Sequence, residues 1–249
     1  MNDRIELIDG HAHLNELNDI PGDFVRARDI GVTAIIGVGV DLESNKRILA
    51  LAGEYPGFVF PAIGFHPWEI RKHEIDNTLS FLESNILRCV AFGEVGLDYK
   101  ARVKKDLQRD VFREIIALAV RFDKILILHC RYAHQRVFSM ITDGGVGRAV
   151  FHWYTGSREL LHNIIDSGYY ISATPALQYS PPHQEAIREA PIERILLETD
   201  CPVEYEGKAS HPADVMITAR ETARVKGLSL TEVVHITTEN AKVLYKLPR

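Results

Sequence analysis

Eight short apolar runs, alternating with longer amphipathic stretches, predict an α/β protein closed into a (β/α)8 TIM barrel. Two further observations favour that class. The runs are rich in β-branched residues and do not alternate with polar ones, which is how strands covered on both faces read. Metal-capable and polar residues also recur at the C-terminal ends of the runs along the whole chain. An open doubly wound sheet would gather them at one crevice.

In chain order the predicted strands are IELID (5–9), TAIIGVG (33–39), FVFPAIG (58–64) and CVAFGE (89–94), then KILILH (124–129), RAVFHW (148–153), YYISA (169–173) and RILLET (194–199). Polar or Gly/Pro breaks follow each run, and helical patterns fill the intervals. The clearest helix is KKDLQRDVFREIIALAVRFD (104–123). There Leu107, Val111, Ile115, Leu118 and Phe122 recur at spacings of three and four, forming one stripe. No low-complexity linker and no fixed-period repeat divides the 249 residues, so one domain is expected over 1–249.

Composition narrows the class. Hydrophobic content of 46% and charged content of 25% are those of a globular chain with a sizeable core. The net charge of −5 excludes a protein that is basic all over, though not a local basic patch. Three cysteines, Cys89, Cys130 and Cys201, form no CxxC pair and no disulfide framework, which fits a reducing cytoplasm. The start MNDRIEL lacks a leader signature, and no run reaches the ~18 apolar residues of a membrane helix, so no membrane partner is expected. Nothing in the sequence specifies an oligomeric state.

The strand ends carry the chemistry. After the first run come Asp9, His11 and His13; after the third, His66 and Trp68. Glu94 ends the fourth run, His129 the fifth and His152 the sixth, and Asp200 follows the eighth. A barrel brings these ends to one mouth. Residues two apart on a strand share a face, so His11 and His13 can bind one cation together. Four imidazoles and two carboxylates suffice for two neighbouring sites about 3.5–4 Å apart, with one carboxylate bridging. Glu94 is the expected bridge, because its strand lies between the first strand and the fifth and sixth. Cys130 and Cys201 adjoin ligands but point the opposite way and are read as small fillers.

The motifs DGHAHL, GFHPW, GEVGLDY, LHCR, FHWYTG and LLETDCP closely resemble the TatD-type metal-dependent hydrolases of the amidohydrolase superfamily, and their archaeal branch most. The resemblance runs from Asp9 to the closing TTENAKVLYKL. It implies a TIM barrel, a divalent-metal centre and deoxyribonuclease or phosphoesterase activity. By motif it places His11, His13, Glu94 and Asp200 on one metal and Glu94, His129 and His152 on the other. Asp200 would double as general base, as suits a carboxylate that touches both metal and water. His66 and Arg131 would contact substrate. The chain departs from the pattern at the rim. HCRDA reads HCRYA with Tyr132, HCFSG reads HWYTG, and the RNEP segment is replaced by KASHPADV, which keeps His211, Pro212 and Asp214 in part.

The rim also suits an anionic substrate. Arg71 and Lys72 follow the third strand, Lys100, Arg102, Lys104 and Lys105 the fourth, and Arg131 the fifth. Trp68 and Tyr99 could stack on bases. The expected function is therefore a two-metal deoxyribonuclease or phosphodiesterase acting on DNA or a nucleotide-containing substrate. The alternative is a hydrolase of a small-molecule amide, ester or lactone on the same scaffold. Two divalent ions are expected. Zinc, nickel or iron suits nitrogen-rich sites, while magnesium or manganese suits phosphoryl chemistry.

Overall fold

The computed structural model describes residues 6–248. Ile5 of the first predicted strand, and the segment 1–5 read for a leader, lie outside the described residues. The barrel strands are β1 (Leu7–Ala12), β2 (Val32–Val38), β3 (Val59–Ile63), β4 (Ala91–Asp98), β5 (Ile125–Arg131), β6 (Ala149–Phe151), β7 (Tyr170–Ala173) and β8 (Ile195–Leu197). Each pairs in parallel with the next. The outer helices are α1 (Ile20–Asp29), α2 (Leu42–Glu54), α3 (Ile75–Asn85), α4 (Lys105–Arg121), α5 (His134–Asp143), α6 (Arg158–Asp166), α7 (Pro181–Glu189), α8 (Val215–Lys226) and α9 (Leu230–Tyr245). The chain is a (β/α)8 TIM barrel. Among the described residues no helix is long and apolar enough to cross a membrane.

Each predicted run overlaps one strand, but two boundaries need correction. β4 does not end at Glu94. Its ladder with β5 continues through Leu97 opposite Cys130 to Asp98 opposite Arg131, so Glu94 is mid-strand. β8 stops at Leu197, and Asp200 lies three residues past it. A short hairpin, β9 (Glu204–Tyr205) with β10 (Lys208–Ala209), follows in the loop after β8 and carried no sequence signal.

Simple alternation along a strand also fails at two places. Between Asp9 and Ala12, β1 advances three residues while β2 advances two, from Ile35 to Gly37. Between Phe92 and Val95, β4 gains one residue on β5 in the same way. An extra residue reverses which side chains face inward. Ile8 and Ala91 therefore sit in the apolar barrel interior below the bulges, while the odd-numbered His11 and His13, and the even-numbered Glu94 and Asp98, reach the mouth above them. Ile36, Ile127, Val150 and Leu196 fill that interior, and Leu244 and Tyr245 of α9 close its floor.

The barrel closes between β1 and the segment after β8. Ala12 pairs with Cys201. The Asp200 amide donates to His11 O at 3.0 Å, and the His13 amide to Cys201 O at 2.8 Å. Gly10 lies on this seam, where an added Cβ would meet Leu197 O at 3.0 Å. Asp9 stitches it with a side chain. Its Oδ1 accepts from the Thr199 amide at 2.9 Å and its Oδ2 from Thr199 Oγ1 at 2.6 Å. Asp9 is buried, and burial pushes its carboxyl up to about 8 against those hydrogen bonds.

Asp9 is thus a closure residue, although it stands among the strand-end groups. Asp9→Ala leaves two buried Thr199 donors without a partner, each costing about 1–3 kcal/mol. We expect a loss of about 2–4 kcal/mol in urea unfolding, and a smaller loss for Asp9→Asn, which keeps an acceptor. An unchanged midpoint for Asp9→Ala would remove Asp9 from the closure.

Candidate metal centre

Glu94 is the centre of the mouth. Gly64, just past β3, lets its backbone in: a Cβ there would stand 2.3 Å from Glu94 O and 2.5 Å from Glu94 N. The carboxylate meets five imidazoles, divided between its two oxygens. Oε2 lies 3.4 Å from His11 Nε2 and 3.3 Å from His13 Nε2. Oε1 lies 2.7 Å from His129 Nδ1, 2.9 Å from His152 Nε2 and 3.5 Å from His66 Nε2. Asp200 Oδ1 faces the first pair, 3.4 Å from His11 Nε2 and 3.3 Å from His13 Nε2. Asp200 adopts a left-handed φ of 53°, which an aspartate tolerates better than a bulky residue does. Its amide bond to His11 O holds that turn.

Two carboxylates absent from the predicted set stand behind the histidines. His129 Nε2 is 3.2 Å from Asp98 Oδ2, and His152 Nδ1 is 3.3 Å from Glu198 Oε1. Each of these carboxylates can take one ring hydrogen, so that a cation bound at Glu94 would meet the lone pair of the opposite nitrogen. Asp98 is itself held by Trp68 Nε1 at 2.5 Å and by the Lys100 amide at 2.7 Å. A sequence signal for both existed. Asp98 is four after Glu94 on the same strand and so shares its face, and Glu198 stands in the predicted run that precedes Asp200.

His66 requires a separate argument. It is buried within reach of Glu94 and His129, and these three could together hold an ion. Its Nδ1, however, accepts from the Trp68 amide at 3.3 Å. That contact puts the hydrogen on Nε2, so His66 offers a donor rather than a lone pair to the centre. Burial lowers it to about 4, outweighing the pull of Glu94, and keeps the ring neutral.

The donor set fits divalent cations. His11 Nε2 and His13 Nε2 face one another at 3.2 Å, an arrangement that requires a proton or cation between them. His11 Nδ1, His13 Nδ1 and Asp200 Oδ1 are buried without a hydrogen-bond partner. Two further sets bring donor atoms within 4.8 Å of one another: His11, His13 and Asp200, and His11, His152 and Glu198. Imidazole with carboxylate is a donor mixture that first-row divalent ions accept. The electrostatics agree. Burial would raise Asp200 and Glu94, but the imidazoles around them hold both below the ordinary carboxylate range. Burial would lower His13, but the Asp200 and Glu94 carboxylates beside it push it up to about 10. His129 and His152 are raised by Asp98, Glu94 and Glu198 in the same way.

The structure therefore brings together all six groups predicted as ligands. The predicted substrate contacts lie further out. Trp68 is half exposed, with its indole N–H on Asp98. Tyr99 is partly buried; Lys105 Nζ covers its ring at 4.6 Å and Arg109 reaches its hydroxyl at 3.3 Å, so that face is not free. Arg131 ends β5 in an exposed position. Cys201 is buried and Cys130 half-buried, both free thiols.

The profile of the TatD related DNase family matches residues 8–246 of the chain. The uncharacterized metal-dependent hydrolase YabD of Bacillus subtilis is 34% identical over 97% of this chain and 99% of its own length. The 3'-5' ssDNA/RNA exonuclease TatD of Edwardsiella piscicida is 30% identical over 92% of this chain and 94% of its own. The crystal structure of YJJV, a TatD homologue from Escherichia coli K12, superposes with a TM-score of 0.88 at 25% identity, covering 98% of this chain and 99% of that one.

The raised imidazoles make metal binding a proton exchange. With His13 at about 10 in the metal-free fold against 6.5 unfolded, its ion pairing stabilises the fold fully below pH 6.5. That contribution is lost as pH rises through about 10. A cation must displace the same proton, so affinity should rise with pH across this window. Calorimetric titration of metal into metal-free protein at pH 7, in two buffers of different ionisation enthalpy, should show at least one proton released per chain. Buffer-independent heats would contradict the centre.

Proposed function

The chain belongs to the TatD related DNase family of metal-dependent hydrolases, and from that membership we propose that it is a two-metal phosphodiesterase cutting DNA. The carrying observation is the division of Glu94, whose Oε2 faces His11 and His13 and whose Oε1 faces His129 and His152. One cation would take His11, His13, Asp200 and Glu94; the other would take Glu94, His129 and His152. Bound there, divalent ions supply Lewis-acid polarisation of a phosphoryl oxygen and make water acidic enough to attack near neutral pH. Zinc, nickel or iron suits the imidazoles, and magnesium or manganese the phosphoryl chemistry.

The chain's own groups do the rest. Asp200 accepts the proton of the attacking water; it is ionised at neutral pH and held in place by its backbone bond to β1. His66 Nε2–H donates to a non-bridging phosphoryl oxygen, which a neutral ring does at any pH well above about 4. Asp98 and Glu198 hold the rings of His129 and His152 in orientation. Arg131 and the lysines after β4 meet flanking phosphates. A cytoplasmic enzyme is the reading that three free cysteines suit.

Chelator-stripped protein reloaded with single metals should hydrolyse single-stranded DNA and bis-p-nitrophenyl phosphate in preference to an ester or an amide. Elemental analysis should find up to two ions per chain. Asp200→Asn should lower kcat by roughly 10²–10⁴ through loss of the base, with the fold intact by circular dichroism. Glu94→Gln should reduce occupancy of both sites. Wild-type turnover in Asp200→Asn refutes its role, and preference for the amide moves the substrate to the small-molecule class.

A further inference from the structure

Past the ligands, β4 and β5 run on together. The Tyr99 amide donates to Arg131 O at 2.9 Å, which brings Tyr99 and Tyr132 side by side beyond the mouth. Both line a surface depression of about 360 Å3 shared with His134, Gln135, Arg136 and Ser139. Tyr132 is the unusual member. It turns the chain with a left-handed φ of 55°, and it is 69% exposed, so its ring contributes little to the core. Lys100 Nζ stands 5.0 Å from the ring centre. Among the described residues, Lys100, Lys105, Arg131 and Arg136 make no ion pair, whereas Arg109 and Arg113 on the same helix are each paired with an aspartate. On a chain of net charge −5, this concentration of uncompensated cations beside an open aromatic ring selects an anionic, aromatic ligand.

We infer that Tyr132 is a stacking platform for an unpaired base next to the scissile phosphate, with Lys100, Arg131 and Arg136 on the flanking phosphates. This rests on the phosphodiesterase reading above and names its substrate form: single-stranded nucleic acid. Tyr132 is three residues past His129, at the turn that follows β5, so a nucleotide flanking the one being cut can reach both. Each ring carries a lysine over one face, Lys105 on Tyr99 and Lys100 on Tyr132, but Tyr99 is partly buried whereas Tyr132 stays largely exposed and can take a base on its other face. A duplex cannot use it, because its bases stack on one another.

The test compares wild type, Tyr132→Ala and Tyr132→Phe, all metal-loaded, on a labelled single-stranded oligonucleotide, its duplex and bis-p-nitrophenyl phosphate. The side chain is exposed, so both variants should fold, with melting temperature as the check. Losing one stacked base should raise KM for the single strand by roughly 5- to 150-fold in Tyr132→Ala. Tyr132→Phe should stay within about twofold, because its ring retains the π-face. Turnover of the small diester should not change. Replacing the flanking nucleotide by an abasic sugar should raise the wild-type KM and abolish the difference from Tyr132→Ala. If Tyr132→Ala cleaves the single strand with wild-type KM, the platform is overturned and the phosphodiesterase reading stands. Equal losses in both variants, or a loss on the small diester, also overturn it. If wild type hydrolyses the diester but no oligonucleotide, the nucleic-acid reading falls, and the platform with it.

Discussion

The structure depends on one buried carboxylate. Glu94 has imidazole nitrogens within 3.5 Å on both of its oxygens, and Asp200 faces two of the same rings. Uncompensated charge in a dry site costs several kcal/mol per ion. Two carboxylates and a ring of basic nitrogens therefore have to be assembled together. Protons can balance them, and so can cations. The outer carboxylates suit cations, because Asp98 and Glu198 can take one ring hydrogen each from His129 and His152 and free the inner nitrogens for a metal.

That demand explains features of the barrel that are otherwise irregular. A strand with strict alternation could not place Ile8 in the apolar interior and both His11 and His13 at the mouth. The bulge in β1 permits it, and the bulge in β4 does the same for Ala91 below Glu94 and Asp98. The seam is involved as well. Asp200 belongs to no regular strand, and its position comes from its amide bond to His11 O and from the Asp9–Thr199 pairs beside it. Closing the barrel and placing Asp200 are therefore one event. The left-handed turn at Asp200 is held in place by this closure.

Charge is arranged differently inside and outside the mouth. Inside, acids and imidazoles pair at short range, where solvent screening is weak. Outside, the cations after β4 and β5 are left without partners, although neighbouring helix surfaces pair theirs. A negative molecule can in this way present a positive track to a polyanion. The average charge describes solubility, and the local distribution describes what reaches the centre.

The sequence by itself determined the barrel and the membership of its centre. Eight non-alternating apolar runs and the residues at their ends carry that information, because strand burial and strand-end chemistry are local in the chain. The set His11, His13, Glu94, His129, His152 and Asp200 was legible for that reason, and the structure brings the six together. Tertiary structure decided which way each group points. Whether His66 presents a hydrogen or a lone pair depends on the Trp68 amide; which nitrogen of His129 and of His152 faces inward depends on Asp98 and Glu198. Asp9 stands among the strand-end groups in the sequence, and the fold uses it to join β1 to Thr199, 190 residues away. The two bulges are invisible in composition, since an inserted residue shows only against the register of the partner strand. Hydrogen-bond direction and strand register are properties of pairs of segments, and only the folded chain brings those pairs together.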